Sequence, residues 1–180
     1  PGVLGSAVGM DKDAAKRLLA EKGIPVVPWI TVTRRQWKES KDEILHRAES
    51  SFGFPFFVKP ANAGSAVGVH KVKSAADAVS FIEDALKYDV KILIEQGIDA
   101  REIECSVMGN DEPKASGLGE VLPSHEFYSY EAKYIDADGA KIDMPAKIDA
   151  ALADRIRSDA VKGYQALYLE GLSRVDFFVE

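Results

Sequence analysis

Apolar and polar positions follow two periods along the chain, so stretches with helical spacing alternate with stretches of strand spacing. In "DKDAAKRLLAEKG", Ala14, Leu18 and Leu19 recur at helical spacing, Asp11 stands at the cap position and Gly23 ends the segment. "IPVVPWITVT" reads as a strand, and Pro25 and Pro28, which cannot donate to a ladder, put it at a sheet edge. Thr33 and Gln36 have the spacing of a capping box that opens a helix to about Ser50. "FPFFVKP" predicts a short buried strand, with a return strand over 68–72. Ser74 and Asp77 open another helix, whose Ala78, Phe81, Ile82 and Ala85 form an apolar face. "VKILIEQG" and "REIECSVMG" alternate as strands joined by a short turn over 97–100, and "KASGLGEVL" adds another strand. Asp149 opens a long helix to about Leu169, and "LSRVDFFVE" closes the chain as a strand. "HEFYSYEAKYIDADG" fits neither period and predicts a loop over about 124–139, of a length usually tied to function or disorder. The pattern predicts an α+β chain divided near Gly97 into units 1–97 and 98–180.

Composition narrows the function classes. Of the 180 residues 46% are hydrophobic, a globular composition and not that of a disordered chain. A formal net charge of −6 argues against a general nucleic-acid binder, whose footprint is basic. No apolar run approaches the ~18 residues that a membrane helix needs, and the opening "PGVLGSAVGMDKD" lacks the basic start of a signal peptide. Cys105 is the single cysteine, which rules out an internal disulfide and predicts a cytoplasmic protein. It lies in an alternating strand, where a packed thiol is the expectation and not a nucleophile.

The candidate chemistry starts at "VKPANAGSAVGVHKV", where two good strands are interrupted by a loop of small residues with a lysine at its mouth. Successive backbone N–H groups in such a loop form an anion-binding nest. "AGSAVG", with Gly64, Ser65, Ala66 and Val67, can therefore lie over phosphates, and Lys59 can pair with them as a point charge. No Gly-Lys-Ser/Thr follows, so this is not a Walker loop, and a plain hairpin with a flexible tip remains the alternative. In "SRVDFFV" the strand alternation puts Arg174 and Asp176 on one face. They read either as an ion pair or as a guanidinium for a developing oxyanion beside a carboxylate for Mg²⁺. Glu95 and Gln96 end a strand where they can meet an adenine edge, and Glu102 can accept from ribose hydroxyls; all three can equally be solvated.

Taken together, "MDKDAAKRLL", "FVKPANAGSAVGVHKV", "ILIEQGIDAREIECSV", "EFYSYEAKYIDADGA" and "RVDFFVE" resemble, in order and separation, the D-alanine–D-alanine ligases of the ATP-grasp superfamily. "YEAKY" beside "REIECSV" is the most specific part, whereas the glycine loop is shared more widely. The resemblance implies an ATP-grasp fold, two α+β subdomains with ATP bound between them. It implies Mg²⁺-dependent phosphorylation of one D-alanine carboxylate and attack by the amine of a second D-alanine, for peptidoglycan synthesis. Lys12 and Lys59 then match phosphate-holding lysines, and Glu95, Gln96, Ile98, Glu102 and Phe178 match nucleotide contacts. Ser65 matches a loop serine near the first substrate, and Lys133 and Tyr134 a closing loop in which Tyr134 bonds Ser65. Arg174 matches the residue that stabilises the tetrahedral intermediate, and Asp176 a magnesium ligand. A homodimer is the implied assembly. Ala66 departs from the pattern, standing where a second serine is common. The implied match is to the central and most of the C-terminal domain of such a ligase, without the N-terminal domain that orients the first D-alanine. An ester-forming D-alanine–D-lactate ligase and a nucleotide-binding module without chemistry are the competing readings.

Overall fold

The computed structural model describes residues 2–123 and 140–180. The loop expected over 124–139 lies outside the described residues.

Two compact units divide the chain: Val27–Ile98, and Pro1–Val26 together with Asp99–Glu180. The second junction falls one residue from the expected division. The first 26 residues, expected with 27–97, instead belong with the C-terminal half. Their packing explains this: Gly5 of helix α1 (Val3–Met10) lies so close to Tyr168 that a Cβ would be 2.3 Å from its carbonyl oxygen. Leu19 of α2 (Lys12–Glu21) likewise packs on Gly163. Helix α1 was not expected, because "VLGSAVGM" has no polar face from which a period could be read. Asp11 caps α2 as expected, its Oδ1 accepting from the N–H groups of Asp13 and Ala14 at 3.1 and 3.0 Å.

In the unit Val27–Ile98, strands β1 (Trp29–Thr33), β2 (Phe56–Pro60), β3 (His70–Val72) and β4 (Lys91–Gln96) form an antiparallel sheet in the order β1-β4-β2-β3. β1 lies at a sheet edge, as expected, although it begins only after Pro25 and Pro28. Helices α3 (Arg34–Glu39), α4 (Lys41–Phe52) and α5 (Ala75–Tyr88) supply the rest of the unit. The capping box at Thr33 and Gln36 forms, but its helix stops at Glu39 and a second begins at Lys41, with Ser40 (φ −144) breaking the run expected to Ser50. The core joins Ile30, Val32, Phe56, Val58, Ile92 and Ile94 of the sheet to Trp37, Ile44, Ala78, Ile82 and Ala85 of the helices. Ser74 does not cap the backbone of α5; its hydroxyl donates to Asp77 Oδ2 at 2.9 Å.

In the other unit, β5 (Arg101–Met108), β6 (Lys114–Pro123), β7 (Ala140–Asp143) and β8 (Leu172–Val179) form a second antiparallel sheet in the order β7-β6-β5-β8. β4 and β5 sit in different sheets, and residues 97–100, expected as a short turn near the division of the chain, are the connection between units. Strand β4 is paired on both edges, by β1 and β2. Helix α6 (Ala150–Ala166), capped by Asp149, covers one sheet face with Ile156, Ala160 and Tyr164 against Ile103, Cys105, Val107 and Leu118. The Tyr164 hydroxyl donates to the Gly109 carbonyl at 2.7 Å. Cys105 is a packed thiol, its pKa raised by burial. Among the described residues no helix is long and apolar enough to cross a membrane.

Candidate functional site

Strand alternation gives each sheet a second face, opposite its apolar core, and the candidate residues concentrate there. In Val27–Ile98 the register pairs Phe57 with Glu95 and Lys59 with Leu93 on β2 and β4, and Trp29 with Glu95 and Thr31 with Leu93 on β1 and β4. These residues alternate with the core-facing Phe56, Val58, Ile92 and Ile94 and so share the other face. There Lys59 Nζ lies 2.5 Å from Glu95 Oε2, with Lys59 21% exposed and Glu95 6%. The ammonium also stands 5.5 Å from the centre of the Phe57 ring. A nearly buried glutamate needs a cation beside it, and the diagonal neighbour on β2 supplies one.

Gln96, one position on, takes the opposite face, and its N–H donates to the Pro28 carbonyl at 3.1 Å. Only the Glu95 side chain therefore joins the lysine; Gln96 and Ile98 follow it at the end of β4 and in the connection. Trp29 and Thr31 on this face were not singled out in the sequence. The Trp29 indole N–H donates to the Thr31 hydroxyl at 3.1 Å.

The loop between β2 and β3 is a tight structure and not an open tip. Val67 N–H donates to the Gly64 carbonyl at 3.0 Å, with Ser65 at φ 52 and Ala66 at φ 58 between them. Two positive φ angles inside a four-residue hydrogen-bonded turn define type I′, which ordinarily takes Asn and Gly. A second turn follows, Val69 N–H to the Ala66 carbonyl at 3.1 Å, with Gly68 at φ 66. A Cβ on Gly68 would come within 2.5 Å of Tyr88 Cδ2, so glycine is required there. Holding Ser65 and Ala66 in the left-handed region stores strain, a feature that clusters at ligand clamps.

In the other unit, β5 and β8 place Glu102 opposite Phe178, Glu104 opposite Asp176 and Ser106 opposite Arg174. All alternate with the core-facing Ile103, Cys105, Val107, Val175 and Phe177. Glu102, Phe178, Arg174 and Asp176, each singled out in the sequence, are thus gathered on one face. Arg174 grips Asp176 with two bonds, Nε to Oδ1 at 2.7 Å and the second nitrogen to Oδ2 at 2.9 Å. Its Nη1 also lies 3.2 Å from Glu104 Oε1. Glu104 was missed in the sequence, although the alternation in "REIECSV" puts it on the Glu102 side. Lys12 begins α2 in this same unit, and Lys59 belongs to the other. Lys133 and Tyr134 lie outside the described residues.

Among the described residues no group of three or more His, Cys, Asp or Glu side chains could enclose a metal ion. A Mg²⁺ ion does not need such a cage: it takes one or two carboxylates, with phosphate oxygens and water completing its shell. The half-exposed Asp176, opposite Glu104, fits that mode.

Residues 18–180 match the family model described as D-ala D-ala ligase C-terminus. The chain is 50% identical over 181 residues to D-alanine–D-alanine ligase A of Bradyrhizobium diazoefficiens, covering 99% of this chain and 48% of that relative. Its fold matches the VanG D-Ala:D-Ser ligase of Enterococcus faecalis with a TM-score of 0.84, at 38% identity over 97% of this chain and 50% of the other. The D-alanine–D-alanine ligase of Coxiella burnetii matches with a TM-score of 0.83, at 30% identity over 98% of this chain and 45% of the other. The chain spans about half the length of these relatives. With this α+β ATP-grasp fold and this sequence match, the chain belongs to the D-alanine–D-alanine ligase C-terminus family.

Proposed function

We propose that the protein to which these residues belong joins two D-alanines at the expense of ATP, through a D-alanyl phosphate, for peptidoglycan synthesis. The observation that carries this reading is the face shared by β5 and β8. It gathers Glu102, Phe178, Asp176 and Arg174, the residues that the resemblance matches to contacts with nucleotide, magnesium and the tetrahedral intermediate.

The chemistry divides among the residues as follows. Lys59 leaves Glu95 and donates to a phosphate oxygen, a point contact suited to an ammonium. The backbone N–H groups of the Gly64–Val67 turn, together with the Ser65 hydroxyl, hold the transferring phosphoryl group. Ala66 offers no hydroxyl, so that position contributes its backbone alone. Lys12 adds a second phosphate contact, and Glu95, Gln96, Ile98, Glu102 and Phe178 hold adenine and ribose. Asp176 would help hold a magnesium ion, which would supply neutralisation of the charge on the phosphates. A carboxylate oxygen of the first D-alanine takes the γ-phosphoryl group and ADP leaves. The amine of the second D-alanine then attacks the carbonyl carbon, and Arg174 stabilises the oxyanion until phosphate departs with the original carboxylate oxygen. Lys133 and Tyr134 close over the site in this reading, with Tyr134 bonding Ser65. A cytoplasmic homodimer is the proposed state.

A second reading changes only the second substrate, to D-serine or D-lactate. The fold likeness to a D-Ala:D-Ser ligase favours keeping it. The test is to give the full-length protein ATP, Mg²⁺, D-alanine, D-serine and D-lactate together and to quantify each product. D-Alanyl-D-alanine in excess supports the first reading; excess D-alanyl-D-serine or D-alanyl-D-lactate replaces it with the second. Nucleotide binding without phosphate release would reduce the protein to a binding module.

A further inference from the structure

We propose that Glu104 is a positioning residue for Arg174, holding the guanidinium in place when Asp176 turns from it to a divalent cation. This rests on the ligase reading above. Glu104 and Asp176 stand directly opposite on β5 and β8, an arrangement that like charges disfavour unless a cation lies between them. Arg174, two residues before Asp176 on the same face, is that cation. It gives Nε and one terminal nitrogen to Asp176 and the other, Nη1, to Glu104.

The two carboxylates are not equivalent. Asp176 is 58% exposed and Glu104 only 20%. The exposed one can turn to a metal ion at little desolvation cost, while the shielded one stays with the arginine. While both oxygens of Asp176 are engaged by the guanidinium, they are poorly disposed to bind a metal. When Asp176 turns away, the Glu104 carboxylate still holds Arg174 at Nη1. The pair of Arg174 and Glu104 is neutral and keeps the guanidinium anchored at Nη1.

The test is a double-mutant cycle on the full-length protein, with Mn²⁺ alone as probe and free Mn²⁺ read by electron paramagnetic resonance. Glu104→Gln should weaken Mn²⁺ affinity about tenfold in the wild-type background and less than about twofold in an Arg174→Met background. Equal weakening in both backgrounds would mean that Glu104 acts on the ion through its own charge, and would overturn the proposal. No weakening in either, or no Mn²⁺ binding by the wild type, would overturn it too. Glu104→Asp, a check against misfolding, should keep the native melting curve yet weaken Mn²⁺ binding, since the shorter side chain falls short of Nη1. In turnover, Glu104→Gln should lower kcat about tenfold with KM for ATP within about twofold, the signature of a lost transition-state contact. Absence of dipeptide from the wild type would sink the ligase reading alone, because the Mn²⁺ cycle requires no turnover.

Discussion

Lys59 and Glu95 are diagonal neighbours on adjacent strands, joined at 2.5 Å on the sheet face that the core does not use. The lysine proposed to hold phosphate is thus kept by a nearly buried carboxylate until a stronger anion arrives. This gives Lys59 two separable duties. Lys59→Ala should destabilise the fold by about 2–4 kcal/mol, because it removes the cation that pairs with the nearly buried Glu95. It should also remove about 2–4 kcal/mol of transition-state stabilisation. Lys59→Arg should restore most of the stability and little of the turnover, since its fork does not match a point contact. Urea denaturation beside phosphate-release kinetics separates the two; parallel recovery of both would make Lys59 a structural residue only.

The strained turn at Ser65 and Ala66 makes a prediction of opposite sign. Ala66→Gly should stabilise the protein by up to about 1 kcal/mol, because relief of the left-handed strain outweighs the extra freedom of glycine in the unfolded chain. Ala66→Val, β-branched at φ 58, should destabilise it by more than about 1 kcal/mol. Thermal melts of the two variants check this, and an equal response to both would show that the turn is not strained.

The Arg101–Glu120 clamp sets an acid limit on the second unit. Glu120, nearly buried, takes Arg101 Nε on Oε1 at 2.7 Å and a terminal nitrogen on Oε2 at 2.6 Å. That hydrogen bonding holds its pKa below the ordinary value of 4.5, with burial opposing. A lowered folded-state pKa means that the stabilisation is complete above the unfolded value and is lost as pH falls through the folded one. Stability should therefore decline from about pH 5 downward. Glu120→Gln should be less stable near neutrality and flatter in acid. Melting temperatures from pH 7 to pH 3 check this; parallel curves for both proteins would exclude Glu120 as a source of the acid sensitivity.

Much of this arrangement was legible in the sequence because it rests on strand alternation. Arg174 with Asp176 could be put on one face from "SRVDFFV" alone, and Asp11, Thr33 and Asp149 announced their helices by capping chemistry. What escaped depends on contacts between distant segments. Glu104 gains meaning only when β8 lies beside β5 and brings Asp176 opposite it. The pairing of Lys59 with Glu95 follows from a register between strands whose pairing residues are 36 apart in sequence. Helix α1 was illegible because small residues packed on Tyr168 leave no period.

The most direct test of the account follows the oxygen that D-alanyl phosphate formation must move. Full-length protein is supplied with ATP, Mg²⁺ and D-alanine carrying ¹⁸O in its carboxylate, and the released phosphate is examined by mass spectrometry. The account predicts that each phosphate carries one carboxylate oxygen, matched by one dipeptide, and that Arg174→Ala suppresses both together. Phosphate free of ¹⁸O would contradict it, since the γ-phosphoryl group would then have gone to water and not to the substrate carboxylate.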